Sequence, residues 1–490
     1  MTSTHIAPSV PAHGEELAHN KVGLGGTVFQ SIATLAPASG TIAALPLAAS
    51  YAGGSTALAI LVALVLCLFV SVVLGEMSKR LPIAGGMQAY TTAGIGPRSG
   101  LVVGWSMILA YTSIPMFLIG YLGIVSRDEI RNVDPGFPGW TWAPIALLTC
   151  LAVWFILERG IALSARTGII LGSIEIAVIV VLSLTLIVKA GSANSLKPFT
   201  LHNGNPGGLS SLITAVIYCM LAFIGFEASA PIAEEAKNAR RNVPLSMRTG
   251  LLVGGVVYIL AYYAATVYLG AGRMLSFSGI DGGNPWTHLA GAAWGGVTIV
   301  IFLALLNSFV ANSNSGANAV TRMIFSMARG GQLPRHLAHV NRAGAPIGAI
   351  RVVMGATTVT VLVLGAAMRG GPLSVFALFA TELTVLVLLC YMIVAVACTA
   401  YFLRVRRAEF NFVLHLLCPL VVVAAFIPVL IASLGIKFAG LNIAPVTGVA
   451  KAGVWFALVW LALGVVYAGF VGRQQLASQV PEAGTVVLGD

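Results

Sequence analysis

Residues 224–244 read IGFEASAPIAEEAKNARRNVP. The stretch starts inside an apolar segment, sets the carboxylate of Glu227 close to Gly225, and leaves in a dense cluster of charge. A carboxylate at the centre of a bilayer costs about 2.5–3.5 kcal/mol on insertion scales. A helix interrupted by glycine at that depth frees backbone groups that only a protein-lined cavity can satisfy. Both costs together point to a polar site buried inside a membrane protein.

Composition agrees. Of the 490 residues 58% are hydrophobic and 9% charged, against roughly 25% charged in a soluble domain. Residues 1–20 are polar, contain no short apolar segment followed by a cleavage site, and read as a disordered cytoplasmic tail. Cys67, Cys150, Cys219, Cys390, Cys398 and Cys418 all fall in apolar spans, without the close or paired spacing of a disulfide framework or zinc site. The net charge of +11 invites a nucleic-acid reading, but the placement of the basic residues speaks for membrane topology.

Twelve apolar spans of crossing length are expected, at 24–52, 56–78, 98–125, 141–158, 163–189, 208–233, 246–270, 293–326, 347–368, 372–403, 411–435 and 451–472. With the N-terminus inside, 19 of the 27 Lys and Arg fall on the inner side and 8 on the outer. This bias fits the positive-inside rule with both termini cytoplasmic. Dropping one span would scramble the alternation.

Span 1 reads SIATLAPASGTIAALPL, with Pro37, Ala38, Ser39, Gly40 and Thr41 near its middle. Span 6 reads FIGFEASAP. These open two five-span halves, 1–5 and 6–10. Paired interruptions at matching places in two halves are the best sequence pointer to a transporter's midplane site. The plainer alternative is that glycine and proline are simply common in membrane helices.

Three motifs resemble the amino acid–polyamine–organocation (APC) superfamily of secondary transporters. Residues 225–246, GFEASAPIAEEAKNARRNVPLS, are similar to the family's sixth helix and the loop after it. Residues 75–90, GEMSKRLPIAGGMQAY, are similar to the end of the second helix and the loop into the third. Residues 321–341, TRMIFSMARGGQLPRHLAHVN, are similar to the end of the eighth helix and its loop. The resemblance implies an all-α membrane protein of LeuT-type fold, with a 5+5 inverted repeat, helices 1 and 6 broken, and two peripheral helices. The expected division is 21–190 for helices 1–5, 205–404 for helices 6–10, 409–473 for helices 11–12 and 474–490 for a second cytoplasmic tail. One departure is the run Pro37-Ala38-Ser39-Gly40-Thr41, where many members show a Gly-Ser-Gly-like sequence.

An unwound helix exposes amides, and the N-terminal end of a half-helix adds a positive dipole. A substrate carboxylate is therefore expected at Ala38, Ser39, Gly40 and Thr41. An amino group is expected at Gly225, Phe226, Glu227 and Ala228. The alternatives are that Ser39 and Thr41 bond back to the preceding turn, and that Glu227 serves the freed backbone rather than substrate. The resemblance implies an aromatic gate at Phe223 or Phe226 and a pocket contact at Tyr111; ordinary packing is the competing reading for each.

Glu175, eleven residues after Ser164, falls where several members of the family carry a lysine linked to proton coupling. Burial disfavours the ionised form of a carboxyl, so such a group can take up and release a proton. Glu175 is the expected coupling group, with a structural hydrogen bond to a neighbouring helix as the alternative. Glu382 is a further carboxylate deep in a span. Sodium is the competing ion. Span 8 carries Asn307, Ser308, Asn312, Ser313, Asn314 and Ser315, hard oxygen donors of the kind such an ion takes. Of these, Asn312 and Ser313 are the candidates for coupling; pocket lining and helix packing rank above sodium. The cluster Glu234, Glu235, Lys237, Arg240 and Arg241 is a candidate inner gate, pairing with Arg329 and Arg335, or a solvated loop.

The reading is thus a proton-coupled permease of the plasma (inner) membrane, importing a small amino acid or amine, with no cofactor, metal or nucleic acid. An exchanger and a sodium symporter are alternatives, as is a sensor on the same fold. An enzyme is disfavoured because the chain has no His-Glu-x-x-His run, phosphate-cradling glycine loop or Gly-x-Ser-x-Gly elbow. A channel would need a repeated filter or ring of like side chains. Glu175, Glu227 and Glu382 leave a polyamine substrate open.

Overall fold

The structure is a computed structural model and describes residues 20–434 and 448–471. Of the expected tails, only Asn20 lies within it. The described residues form helices and turns, with one isolated parallel bridge between Val22 and Ala236. In lipid only intra-segment hydrogen bonding satisfies the backbone, so long apolar runs become helices.

The principal helices are α1 (Leu24–Leu35), α2 (Leu45–Ala52), α3 (Thr56–Arg80), α4 (Met87–Gly94), α5 (Pro97–Val133), α6 (Trp142–Glu158), α7 (Ile161–Ala190) and α8 (Gly208–Phe223). There follow α9 (Ala239–Leu269), α10 (Pro285–Trp294), α11 (Ile299–Arg329), α12 (Ile347–Ala367), α13 (Pro372–Arg404), α14 (Cys418–Ser433) and α15 (Gly448–Phe470). Proline opens α5, α10 and α13, where its missing N–H has no intrahelical partner to lose.

Eleven helical stretches among the described residues are long and apolar enough to cross a bilayer. The first, Leu24–Arg80, runs for 57 residues, far more than the ~20 that one crossing needs. It bends through the turn Gly53–Ser55, and α1 and α3 both pack on α9. That stretch covers the expected spans 24–52 and 56–78.

α5 packs against both α13 and α11. Buried residues make up 78% of the most apolar window of α5, against 28% for α6 and 22% for α15, so the last two lie at the periphery. One contiguous apolar core runs from Leu35 to Val471 and crosses both expected halves. A reciprocal pair docks α15 onto α5. The Trp105 indole N–H donates to the Trp460 carbonyl at 3.0 Å and the Trp460 indole N–H to the Trp105 carbonyl at 2.9 Å. Their rings stack with centroids 4.7 Å apart. Each half-buried indole thus finds its acceptor.

Candidate functional site at two facing helix interruptions

α1 ends at Leu35 because Ala36 adopts a left-handed conformation, φ 49°. A single turn, Pro37–Ser39, and a wider π-type turn, Gly40–Ala44, lead into α2. Pro37 has no N–H to continue the helix. α8 ends at Phe223, Ile224 is extended, and Gly225 takes φ 107°, a region open to glycine but strained for other residues. A 3₁₀ turn, Phe226–Ser229, follows.

The two interruptions touch. A Cβ placed on Gly225 would lie 2.4 Å from Cγ2 of Thr34 in the last turn of α1. Tyr258 of α9 braces both. Its hydroxyl lies 2.7 Å from the Leu35 carbonyl and 3.0 Å from the Ala222 carbonyl, positioned to donate to either. A Cβ on Gly40 would lie 2.2 Å from that hydroxyl, so the chain passes Tyr258 there only as glycine.

Two buried carboxyls hold the freed backbone. Glu227 accepts the Gly225 N–H at 3.1 Å with one oxygen and the Tyr111 hydroxyl at 2.9 Å with the other. Glu175 of α7 reaches the first interruption, where one oxygen accepts the Ala38 N–H and the Ser308 hydroxyl, both at 2.9 Å. Its second oxygen accepts from the Asn307 amide at 3.0 Å. The Ser308 hydroxyl oxygen accepts the Ser39 N–H at 3.0 Å. Glu382 accepts the Ser113 hydroxyl at 2.5 Å, tying α13 to α5.

A cavity of about 50 Å³ opens where the interruptions meet. Ser39, Gly40 and Asn312 line it, together with Thr34, Ile114, Phe117, Leu221, Phe376 and Leu383. The other candidates stand behind these walls. Ala38 gives its N–H to Glu175. Thr41 donates its hydroxyl back to Pro37 at 2.7 Å and Ser39 to Ala36 at 3.2 Å. Phe223 packs edge-on against Tyr258, and Phe226 is tilted against Tyr391. Ala228 is buried in the 3₁₀ turn. The side-chain oxygens of Asn312 and Ser313 have no hydrogen-bond partner among the described residues. Between α1 and α11, Gln30, Thr34 and Ser315 bond one another instead.

At the end of the bundle that carries residue 20, three segments are stitched together. The Lys21 and Val22 amides donate to the Glu235 carbonyl at 2.9 Å each, and the Lys237 amide to the Val22 carbonyl at 2.8 Å. Glu235 pairs with Arg322 at 3.0 Å, both side chains fully buried. Glu234 pairs with Arg329 at 2.6 Å on the surface. Arg335 lies elsewhere, beside His336 and Arg351. Sequence reasoning counted Arg322 only as an inner-side positive charge. Its place within TRMIFSMAR, flanked by apolar residues, was the available sign of burial.

The family model for amino acid permeases matches residues 26–474. The chain is 26% identical over 279 residues to the low-affinity putrescine importer PlaP of Escherichia coli (strain K12), covering 56% of this chain and 59% of the relative. It is 25% identical over 306 residues to the branched-chain amino acid permease BcaP of Bacillus subtilis (strain 168), covering 59% and 63%. The matches thus span about six tenths of the length of these relatives. Over 82% of this chain and 88% of the other, the fold matches a Na+-coupled sialic acid symporter in a substrate-bound outward-open state, with a TM-score of 0.53 and 14% identity. That likeness is one of fold, and the fold is the LeuT type. The chain is an all-α membrane protein that belongs to the amino acid permease family.

Proposed function

We propose that the chain is a secondary active transporter that imports a small amino acid or related amine by alternating access, coupled to protons through Glu175. The observation that carries this reading is the pair of interruptions packed on each other around a cavity, with a carboxyl on each. The matched relatives named as a putrescine importer and a branched-chain amino acid permease support a solute with an amino group. In this reading Ser39, Gly40 and Asn312 meet the solute's polar end. Glu227 and Tyr111 keep the second interruption open.

Glu175 joins the first interruption to α11 through the Ala38 amide and the Ser308 hydroxyl. Neutralising it weakens both bonds, since hydrogen bonds to an ionised acceptor are the stronger kind. A proton on Glu175 therefore loosens the contact of the first interruption with α11, which is how proton entry becomes motion. The ion pairs Glu235–Arg322 and Glu234–Arg329 close the cytoplasmic mouth and part when the site opens inward. Both termini are cytoplasmic, and the membrane is the plasma membrane.

The test is uptake into vesicles holding the reconstituted protein, with and without an imposed pH gradient. Wild type accumulates solute in response to the gradient; Glu175→Gln binds solute but does not. Gradient-driven accumulation by Glu175→Gln at the wild-type level would overturn the coupling role. Lack of uptake and of exchange for every amino acid and amine leaves a sensor. The unpartnered oxygens of Asn312 and Ser313 favour sodium as the second reading. Replacing sodium by choline abolishes uptake in that case and leaves it unchanged for a proton carrier.

A further inference from the structure

The matched relatives are named for solutes as different as a diamine, branched-chain amino acids and cationic amino acids, and the cavity walls discriminate among such solutes. Resting on the carrier reading above, we infer that the solute is an amino acid with a short, uncharged aliphatic side chain, and that diamines and cationic amino acids are refused.

The cavity lining is of two kinds. Ser39, Gly40 and Asn312 make the polar one, and Asn312, nine-tenths buried, brings a side-chain oxygen that no described residue satisfies. That oxygen is an acceptor for one ammonium group. The apolar lining includes Ile114, Phe117, Leu221, Phe376 and Leu383, which offer neither charge nor hydrogen-bonding side chains.

None of the buried acids Glu175, Glu227 and Glu382 lines the cavity. Glu175 is committed to Ala38, Ser308 and Asn307. Glu227 is committed to Gly225 and Tyr111. Glu382 neighbours the cavity-lining Leu383 in sequence but is not part of the lining; one of its oxygens accepts from Ser113, and the other has no partner among the described residues. A diamine or a lysine would therefore place its second ammonium group against aromatic and aliphatic side chains, with no acid in the cavity lining to balance it, a disfavoured burial. An aliphatic side chain there loses water and gains contacts instead.

Size narrows the class further. A cavity of about 50 Å³ is well below the ~150 Å³ of a dry cavity that admits benzene. Alanine and valine suit it better than phenylalanine or tryptophan.

The experiment uses the full chain in vesicles, with labelled L-valine as probe and L-alanine, L-lysine and putrescine as competitors in excess. L-alanine is expected to lower valine uptake by about ten-fold or more, whereas L-lysine and putrescine leave it nearly unchanged. In Phe376→Ala, the rate for L-leucine relative to L-alanine is expected to rise about ten-fold, the scale of a methylene or more in an apolar pocket. Competition or accumulation of putrescine or lysine at the level of valine would overturn the inference and leave the carrier reading standing. An unchanged leucine-to-alanine ratio in folded Phe376→Ala would likewise overturn it, by removing the walls from the side chain's path. Failure of every amino acid and amine to enter or exchange overturns both.

Discussion

The Glu175 carboxylate accepts a 2.9 Å hydrogen bond from the backbone amide of Ala38, 137 residues away in sequence. A side chain of α7 thus supplies the acceptor that the interrupted first helix has lost at this amide. The same oxygen holds Ser308 of α11, so one carboxyl reports on three elements at once.

Removing that acceptor has a cost apart from coupling. Glu175→Ala leaves the Ala38 N–H without its acceptor, at about 1–3 kcal/mol for a buried group left unpaired. Glu175→Gln keeps the shape and one acceptor oxygen, so its melting temperature in detergent should lie between those of wild type and Glu175→Ala. A Gln variant as unstable as Ala would show that the charge itself holds the interruption.

Gly40 and Tyr258 form a second paired test. Tyr258→Phe removes a hydrogen bond shared between the ends of α1 and α8, about 0.5–1.5 kcal/mol. Gly40→Ala forces a methyl group to within 2.2 Å of the Tyr258 hydroxyl, and overpacking of that kind costs about 1–3 kcal/mol. Thermal melts should therefore rank Gly40→Ala below Tyr258→Phe, with uptake lost in the former.

The two acidic neighbours Glu234 and Glu235 should differ sharply in what the loss of their arginine partners costs. Arg322 and Glu235 are both fully buried, so Arg322→Met strands a carboxylate at about 3–5 kcal/mol. Glu234 meets an Arg329 that is 38% exposed, and Arg329→Met should lose only about 0–1 kcal/mol. Equal melting temperatures for the two variants would contradict the burial seen here.

Acid lability has a small, traceable part outside the membrane. The Arg80 guanidinium donates to Glu409 at 2.9 and 3.1 Å, and this hydrogen bond holds the Glu409 carboxyl below its ordinary value of 4.5. Because the folded value is the lower one, the contribution is complete above pH 4.5 and is lost as pH falls through the folded value. Glu409→Gln should melt slightly below wild type at pH 7, and the gap should close in acid and shrink in high salt. A gap that widens on acidification would reverse the assigned sign.

Lipid residence, the helical class and the family were legible without coordinates. A chain with 9% charged residues has no other stable home, and motifs such as GFEASAPIAEE carry the family resemblance in contiguous residues. Glycine at 225 and proline at 37 announce local backbone behaviour because the cause lies in the residue itself. What surrounds the cavity had no such local signal. In the highly apolar spans, hydrophobic periodicity does not separate a cavity-facing Leu221 or Leu383 from a lipid-facing leucine. Ala38 lies 137 residues from Glu175, Tyr111 116 from Glu227, and Glu235 87 from Arg322. Which acid braces a backbone and which would greet a solute depends on where distant helices pack, and packing is a property of the assembled bundle.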